Sequence, residues 1–341
     1  MISFESDYIT GAHPEILNKL AETNLESLPG YGADRYCESA KLKIAAACCR
    51  NVDVELLTGG TQTNAIVIAA LLKDYEGVIA AQTGHINAHE AGAVEYAGHK
   101  VLPIPGVNGK LEAAAVDKYA AGFYSDASRE HMVFPGMVYV SYPTEYGTLY
   151  TKRELTDIAA VCRKYDMKLF LDGARLAYGL MSRECDLSLG DLCDLCDVFY
   201  IGGTKAGALC GEAVVFTKQN KPPHFLNFIK KRGALLAKGR LLGVQFDALF
   251  TDDLYFRIGL HGIRTAEKLR SVLSRHGAEY YVDSPTNQTF VIADRAMMQK
   301  LEGNIRVDLW EKLDEERTVV RFATCWSTTD EDLDFLDRVL G

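Results

Sequence analysis

Two residues with complementary chemistry follow two apolar runs of the sequence. Asp172 comes after Leu169-Phe170-Leu171, and Lys205 comes shortly after Val198-Phe199-Tyr200-Ile201. A partly buried lysine has a lowered pKa, and its amine is then nucleophilic toward an aldehyde. A carboxylate keeps a pyridine nitrogen protonated, and the two groups together are what pyridoxal 5'-phosphate (PLP) requires. We therefore predict that Lys205 holds this cofactor as a Schiff base and that Asp172 pairs with its ring nitrogen.

Each of these two motifs also has a plainer interpretation. Asp172 could cap a helix that begins after Gly173, because aspartate is a favoured helix cap. Lys205 could be a surface residue in a glycine-flanked turn, which is the commoner situation. The pairing of the two residues is what favours the cofactor interpretation.

Two further motifs could contact the same cofactor. The segment 57–64 supplies a strand, two glycines and a helix start with Thr at its cap, so the amides of Gly60 and Thr61 could bind a phosphate. The segment lacks both G-x-x-x-x-G-K-[ST] and G-x-G-x-x-G, which argues against a nucleotide loop. His85 follows the next strand, where it could stack on a planar cofactor and move protons, although a lone histidine there is more often a cap or core residue.

The elements that must position these residues alternate from about residue 50 to 217. Short β-rich runs separated by helical patterns predict a doubly wound α/β fold with a mainly parallel sheet, in which ligands bind at the carboxyl ends of the strands. The predicted strands are Val54–Thr58, Gly77–Ala81, Val101–Ile104, Val138–Ser141, Lys168–Leu171, Val198–Ile201 and Ala213–Phe216. The predicted helices between them include Thr61–Lys73, His85–Ala97 and Lys152–Tyr165, the last opening with a capping box.

The rest of the chain predicts a smaller α+β domain. A helix through Asp252–His276 precedes strands near Glu279–Val282, Thr289–Ala293 and Thr318–Phe322 and a final helix, Asp330–Leu340. We place the PLP-binding large domain, with the N-terminal segment, at 1–248 and the small domain at 249–341. Because no low-complexity linker joins them, the two domains should pack closely.

Composition excludes several classes of protein. The 341 residues carry a formal net charge of -9 with lysine and arginine scattered, which argues against a nucleic-acid partner. No run approaches the ~20 apolar residues of a membrane span, and the first residues lack the features of a signal peptide, so we expect no membrane association and a cytoplasmic location. The nine cysteines are then expected to be reduced thiols.

A cysteine pair raises the alternative of a zinc site. Cys193 and Cys196 form a C-x-x-C motif, with Cys185 and Cys210 nearby. The same segment reads as an amphipathic helix, and no second C-x-x-C or histidine pair completes four ligands. We therefore predict a core helix and no metal.

The combination of motifs resembles the threonine aldolase and aromatic amino acid β-eliminating lyase family of fold-type-I PLP enzymes over nearly the whole chain. The motifs that carry the resemblance are Ser6-Asp7, Pro29-Gly30-Tyr31-Gly32, Gly59-Gly60-Thr61-Gln62-Thr63-Asn64, His85, Asp172-Gly173-Ala174-Arg175, Lys205, Gly239-Arg240 and Arg321-Phe322-Ala323-Thr324. It implies the aspartate aminotransferase type of fold, with a seven-stranded sheet, and an activity similar to that of low-specificity L-threonine aldolases.

For the cofactor, the resemblance implies specific roles for five positions. Lys205 would form the covalent bond to PLP and Asp172 would pair with its ring nitrogen. His85 would stack over the ring, and Gly60 and Thr61 would bind the phosphate.

For the substrate and the assembly, the resemblance implies roles for five more positions. Ser6, Arg175 and Arg321 would orient the amino acid carboxylate, which suits the planar fork of arginine, with Arg175 also near the cofactor. The family usually forms tetramers built from dimers with active sites at the subunit interface. Tyr31 and Arg240 would therefore act at the cofactor of a neighbouring subunit.

The sequence departs from the family pattern at three places. Tyr8 and Thr204 stand where the family commonly has Thr and Ser. The segment 141–148 contains no histidine, whereas many threonine aldolases carry there a Thr-His-Asn motif whose histidine contacts the substrate hydroxyl. The base for that hydroxyl stays open among His85, Glu145 and an ordered water.

The predicted function is a PLP-dependent carbon–carbon lyase acting on a small amino acid. The expected reaction is retro-aldol cleavage of L-threonine, L-allo-threonine or another β-hydroxy-α-amino acid to glycine and an aldehyde. One alternative keeps PLP but changes the bond broken, as in β-elimination or transamination. Another is a non-catalytic interaction protein that retains the fold, and a nucleotide-binding protein is disfavoured by the missing phosphate loops.

Overall fold

The computed structural model describes all 341 residues. The strands are β1 (Ile2–Ser3), β2 (Asp53–Leu57), β3 (Glu76–Ala81), β4 (Val101–Ile104), β5 (Phe134–Ser141), β6 (Lys168–Asp172), β7 (Val198–Gly202), β8 (Glu212–Phe216), β9 (Glu279–Val282), β10 (Gln288–Asp294), β11 (Ile305–Arg306), β12 (Asp308–Lys312) and β13 (Arg317–Ala323). The α-helices are α1 (Pro14–Thr23), α2 (Arg35–Cys48), α3 (Gly60–Leu71), α4 (His85–Ala88), α5 (Ala93–Tyr96), α6 (Ala113–Ser125), α7 (Lys152–Lys164), α8 (Leu176–Met181), α9 (Leu189–Leu195), α10 (Phe225–Lys231), α11 (Arg240–Leu249), α12 (Leu254–Arg275), α13 (Arg295–Leu301) and α14 (Asp330–Leu340).

Seven strands form the central sheet in the order β2-β8-β7-β6-β5-β3-β4. Strand β8 is antiparallel to both of its neighbours, and the other pairs are parallel. All seven strands predicted for this region are present, so the predicted doubly wound sheet is confirmed. The carboxyl ends of β5, β6 and β7 consequently lie side by side at one edge.

Helices cover both faces of this sheet because its strands are apolar on both faces. In β6, Leu169 and Leu171 belong to one buried core, whereas Phe170 between them belongs to the other. Successive side chains of a strand point to opposite faces, so a strand buried on both sides reads as a continuous apolar run. The predicted helix after β5 is also confirmed, because α7 begins with the expected capping box of Thr151 and Glu154.

The prediction of one helix over His85–Ala97 is wrong. Helix α4 ends at Ala88, and α5 begins only at Ala93. Between them Ala91 and Gly92 have φ of 51° and 75°, in the left-handed region, which breaks the helical path. The break turns Glu90 inward, where it becomes buried.

The C-terminal part contains the predicted α+β unit. An antiparallel sheet with the order β12-β13-β10-β9 packs with α12, α13 and α14 around a separate apolar core. The three predicted strands and the two predicted helices are present, while β12 was not predicted. Strand β1 pairs in parallel with β11, and Phe4 belongs to this core. The boundary between 248 and 249 falls at the end of α11 and stays a prediction.

The cysteine motif lies in the expected core helix. Helix α9 ends at Leu195, and both Cys193 and Cys196 are buried. Cys210 lies in a different part of the molecule, beside the cavity described below. None of the helices is long and apolar enough to cross a membrane.

Candidate active site

Strands β6 and β7 approach each other very closely beyond their carboxyl ends, and two glycines allow this. A Cβ on Gly173 would lie 2.0 Å from the Tyr200 carbonyl oxygen, and one on Gly202 would lie 2.3 Å from the Ala174 carbonyl oxygen. The turn also uses Asp172, whose Oδ1 accepts a hydrogen bond from the Ala174 N–H at 3.0 Å. The Asp172 side chain therefore organises the turn in addition to facing the strand ends.

Asp172 is a buried carboxylate surrounded by donors. Its Oδ2 accepts from the Tyr139 hydroxyl and from Asn64 Nδ2 at 3.1 Å, and its Oδ1 accepts from the Tyr200 hydroxyl. Burial opposes ionisation, but the charge of His85 and the two tyrosine hydrogen bonds outweigh it and hold the Asp172 pKa below its ordinary value. Asp172 is thus an ionised carboxylate in a fixed orientation, and such a group can pair with a pyridinium nitrogen.

Lys205 lies in the loop after β7, at the same edge of the sheet. Its backbone carbonyl accepts a hydrogen bond from the Tyr178 hydroxyl at 2.7 Å, and its Nζ lies 5.8 Å from the centre of the Tyr8 ring. Burial and the neighbouring Arg175 charge lower the Lys205 pKa to about 8. A sizeable fraction of the amine is therefore neutral and nucleophilic near neutral pH.

A second buried acid supports the lysine loop. Glu212, at the start of β8, accepts hydrogen bonds from the Thr204 hydroxyl at 2.8 Å and from the Gly203 N–H at 3.2 Å. Burial raises the Glu212 pKa to about 8. Lys205 therefore has two ionised carboxylates, Asp7 and Asp172, and one largely protonated carboxyl, Glu212, among its neighbours.

The start of helix α3 forms the third side of the site. The first amides of a helix have no intrahelical acceptor, so those of Gly60 and Thr61 can donate to an anion. The expected Thr cap is wrong, because Gly59 occupies the cap position and makes no side-chain hydrogen bond. Gly60 also has little room for a side chain, since a Cβ there would lie 3.2 Å from the Tyr200 hydroxyl.

His85 begins helix α4 and faces the same cavity. Its Nδ1 lies 2.8 Å from Oε1 of Glu90, which also accepts from Asn64 Nδ2 at 2.8 Å. Asn64 in turn donates to Asp172. The contacts of Glu90 with His85 and Asn64 require Glu90 to turn inward, and this accounts for the break between α4 and α5. The contact with Nδ1 also fixes the orientation of the His85 ring.

Arg175 is held in place by an acid from the N-terminal segment. Its Nε and Nη2 donate to the two carboxylate oxygens of Asp7 at 2.7 and 3.0 Å, and Asn287 donates to the same carboxylate. Nη1 of Arg175 makes no hydrogen bond within the protein, and the residue lines the cavity. The geometry leaves one edge of the guanidinium free for a substrate carboxylate.

Arg321 and Ser6 lie beside this pair with unpaired polar atoms. Nε of Arg321 and the hydroxyl of Ser6 are buried without hydrogen-bond partners. Burial and the charge of Arg175 lower the Arg321 pKa, while Asp308 lies 2.7 Å from its Nη2. Buried polar groups are normally paired, so these orphaned donors are consistent with a ligand anion.

Tyr31 and Arg240 are not brought to this cavity. Tyr31 is exposed, has a φ of 58°, and its ring lies 4.6 Å from Nζ of Lys230. Arg240 donates to the backbone carbonyls of Thr23 and Glu26. Their predicted action at a neighbouring subunit's cofactor stays a prediction.

Six of the predicted residues meet around one cavity of about 340 Å³, a size typical of small-molecule sites, and Ser6 and Arg321 are not among its lining residues. The predicted residues that line it are Gly60, Thr61, His85, Asp172, Arg175 and Lys205. The lining residues to which the sequence analysis gave no role include Thr58, Ser141, Tyr200 and Glu212. The sequence context marks Glu212 as unusual, because it is a lone acid at the start of an apolar strand. Tyr200, in contrast, resembles any core residue of a strand.

These groups fit PLP. Lys205 would supply the amine for its aldehyde, Asp172 an anion for its ring nitrogen, and the start of α3 donors for its phosphate. The fold and the site together define a fold-type-I PLP-dependent enzyme. A solved aspartate aminotransferase from Thermus thermophilus shares the fold, with a TM-score of 0.70 at 15% identity over 99% of this chain and 91% of that one.

The chain belongs to the beta-eliminating lyase family, whose model matches residues 3–300. A low-specificity L-threonine aldolase from Pseudomonas aeruginosa is 30% identical over 273 residues, which cover 80% of this chain and 78% of the relative. The solved structure of Leishmania major threonine aldolase has a TM-score of 0.95 at 40% identity and full coverage of both chains. The predicted family, the PLP cofactor and the class of PLP-dependent carbon–carbon lyase are confirmed.

Proposed function

We propose that this chain cleaves L-threonine, L-allo-threonine or another β-hydroxy-α-amino acid to glycine and an aldehyde. The observation that carries the proposal is the meeting of Lys205, Asp172 and Arg175 around one cavity. The cofactor site, where the amino group of a substrate would react, therefore lies beside a guanidinium that can bind the substrate carboxylate. The names of the Pseudomonas and Leishmania relatives support the same reaction.

The side chains would divide the work between the two ends of the cavity. PLP, when bound, withdraws electrons from the α-carbon of an attached amino acid and so lets one of its bonds break. Lys205 holds the cofactor, Asp172 keeps the ring nitrogen positive, and the His85 ring covers the face of the cofactor. The substrate α-carbon is held between these groups and Arg175, and its orientation there decides which of its bonds breaks.

The substrate carboxylate would be held by groups from three parts of the chain. Arg175 offers its free Nη1, while Ser6 and Arg321 offer buried donors that have no partner within the protein. Asp7 acts as a positioning residue, because its two hydrogen bonds fix the plane of the Arg175 guanidinium. Such a fork binds a carboxylate in one orientation, which fixes the rest of the amino acid.

We also propose that the enzyme acts in the cytoplasm as a homo-oligomer, with Tyr31 and Arg240 reaching the cofactor of a neighbouring subunit. Tyr31, Leu25 and Leu226 are exposed apolar residues, as an interface would require. Light scattering would give the number of subunits. Mixing inactive Lys205→Ala with inactive Arg240→Ala protein should restore part of the activity if the site is shared, and restore none if Arg240 acts within its own subunit.

Product identity tests the reaction. Purified PLP-loaded enzyme incubated with L-threonine should release glycine and acetaldehyde in equal amounts, and Lys205→Ala should release neither. Pyruvate or another keto acid in place of glycine would instead indicate elimination or transamination. The absence of any product above that control, from threonine, allo-threonine and phenylserine alike, would refute the proposal.

A further inference from the structure

The segment between β5 and α7 places a carboxylate in the cavity in a defined orientation. Glu145 is buried, and its Oε1 accepts hydrogen bonds from the His85 backbone N–H at 2.8 Å and from the Ser141 hydroxyl at 2.7 Å. Its Oε2 makes no hydrogen bond within the protein. Since Glu145 lines the cavity, this second oxygen is the one available to a ligand.

The backbone around Glu145 is anchored on both sides. The hydroxyls of Thr144 and Thr148 lie 2.7 Å apart, and the Gly147 carbonyl accepts from Thr286 at 3.0 Å and from Ser284 at 3.2 Å. The last two donors come from the C-terminal part of the chain, just before β10. The carboxylate is therefore fixed by contacts on its own segment and on the small domain.

The electrostatic surroundings suit a group that exchanges protons. Both hydrogen-bond donors to Glu145 are neutral, and no cation forms a hydrogen bond or ion pair with its carboxylate. Burial raises the Glu145 pKa, and the charge of Asp172 adds to the rise while His85 opposes it. A general base works best when its pKa lies near the operating pH.

The other candidate side chain is committed elsewhere. His85 uses Nδ1 for Glu90, and its backbone N–H orients Glu145. Its ring is assigned to the face of the cofactor in the proposed function. Glu145 is hydrogen-bonded to the same residue, because its Oε1 accepts from the His85 backbone N–H.

We propose that Glu145 is the general base that accepts the proton of the substrate's β-hydroxyl group through Oε2. The inference rests on the proposed function. The O–H bond breaks and its proton passes to Oε2, while its electron pair forms the second bond between Cβ and oxygen of the aldehyde. The Cα–Cβ bond breaks and its electron pair stays with Cα. Cα then takes a proton that comes from water, which gives glycine, and Glu145 releases its proton to water.

The experiment separates this step from the rest of catalysis. Glu145→Gln keeps an acceptor for His85 and Ser141 but cannot take up a proton. We expect kcat/KM for threonine cleavage to fall about 10²- to 10⁴-fold. Exchange of the glycine α-hydrogen in D2O, followed by NMR, should stay near the wild-type rate because glycine has no β-hydroxyl. The exposed Glu184→Gln is the matched control and should leave both rates unchanged.

A second readout does not depend on turnover. Infrared spectra of the cofactor-free protein should show a protonated carboxyl group at mildly acidic pH that is absent in Glu145→Gln and retained in Glu184→Gln. In the loaded enzyme, the fall in wild-type kcat/KM toward acidic pH should disappear in Glu145→Gln. Glu145→Asp should keep that fall at a reduced rate, and it serves as the variant of choice if Glu145→Gln does not fold.

The outcomes distinguish the two proposals. If the wild type cleaves threonine and Glu145→Gln is equally active, the role of Glu145 is overturned but the proposed function is retained. Equal loss of cleavage and of glycine exchange would also overturn it, because Glu145 would then serve the whole site. A wild-type enzyme that exchanges the glycine α-hydrogen but cleaves no β-hydroxy amino acid would refute the proposed function, and the base with it.

Discussion

The cofactor end of the cavity and the carboxylate end beside Arg175 differ in how the protein pairs their main polar groups. At the cofactor end, Asp172 accepts hydrogen bonds from Tyr139, Tyr200 and Asn64. At the carboxylate end, Ser6 and Arg321 have buried donors without partners. The Asp172 carboxylate is complete within the chain, whereas the Ser6 hydroxyl and Nε of Arg321 are left unsatisfied by it.

The two ends also differ in their origin along the chain. Asp172 and Lys205 follow adjacent strands of one sheet, and Gly60 begins a helix at the same edge. The carboxylate end combines the N-terminal segment, which holds Ser6, with β13 of the small domain, which holds Arg321. Because it joins separate parts of the fold, we infer that the carboxylate end is the more easily disturbed by changes in domain packing.

The largest expected effect is at the complete end. Asp172→Asn keeps the shape but removes the charge that sustains a pyridinium, so kcat/KM should fall about 10³-fold and PLP should bind more weakly. Steady-state kinetics and a spectroscopic PLP titration would measure both. The exposed Asp157→Asn is the control. Full activity in Asp172→Asn would mean that the ring nitrogen needs no anion here.

The next effect, at the unsatisfied end, should appear in substrate binding. Arg321→Gln removes a charge-assisted donor, so KM for the amino acid should rise about 10- to 100-fold while PLP affinity stays unchanged. Arg321→Lys should recover only part of the loss, since lysine lacks the planar fork. The exposed Arg264→Gln is the control. Loss of PLP binding in Arg321→Gln would contradict the division into two ends.

A smaller effect is expected from one donor to Asp172. Tyr200→Phe removes a hydrogen bond that lowers the Asp172 pKa, so kcat/KM should fall about 10-fold. With a higher pKa, the Asp172 carboxylate protonates sooner on acidification, so PLP binding should weaken at a higher pH than in wild type. Tyr96→Phe changes an exposed tyrosine and should move neither quantity. An unchanged pH dependence of PLP binding in Tyr200→Phe would exclude this tyrosine from tuning Asp172.

The smallest effect concerns stability of the cofactor-free protein. The folded state raises the Glu212 pKa from 4.5 to about 8, so it retains a proton that the unfolded chain releases. Its contribution to stability is present below pH 4.5 and is lost as pH rises to 8. Glu212→Gln should therefore be more stable than wild type at pH 8, by about 2 to 5 °C in Tm, and closer to it at pH 5. A Tm difference that does not depend on pH would contradict a protonated Glu212.

Much of the fold could be predicted because its signals are local. A strand buried on both faces, such as β6 or β7, reads as an uninterrupted apolar run between turn residues. The break between α4 and α5 could not be predicted in this way, since its cause is a tertiary contact. Glu90 turns inward to reach His85 and Asn64, and neither contact leaves a periodic trace in the sequence.

The site was predictable where chemistry requires a rare residue at a strand end, as with Asp172 and Lys205. It was not predictable where the support comes from ordinary core residues. Tyr139 and Tyr200 resemble other strand tyrosines, and only the structure brings their hydroxyls to one carboxylate. The bidentate contact of Asp7 with Arg175 joins residues 168 positions apart, which no local pattern encodes.

The most direct test of the central claim is to locate the cofactor on the chain. Purified protein is incubated with PLP, reduced with borohydride, digested and examined by mass spectrometry. We expect the reduced pyridoxyl phosphate on the peptide containing Lys205 and no such label on Lys205→Ala protein. Stable attachment to a different lysine in wild type, or no attachment at all, would show that Lys205 is not the cofactor lysine.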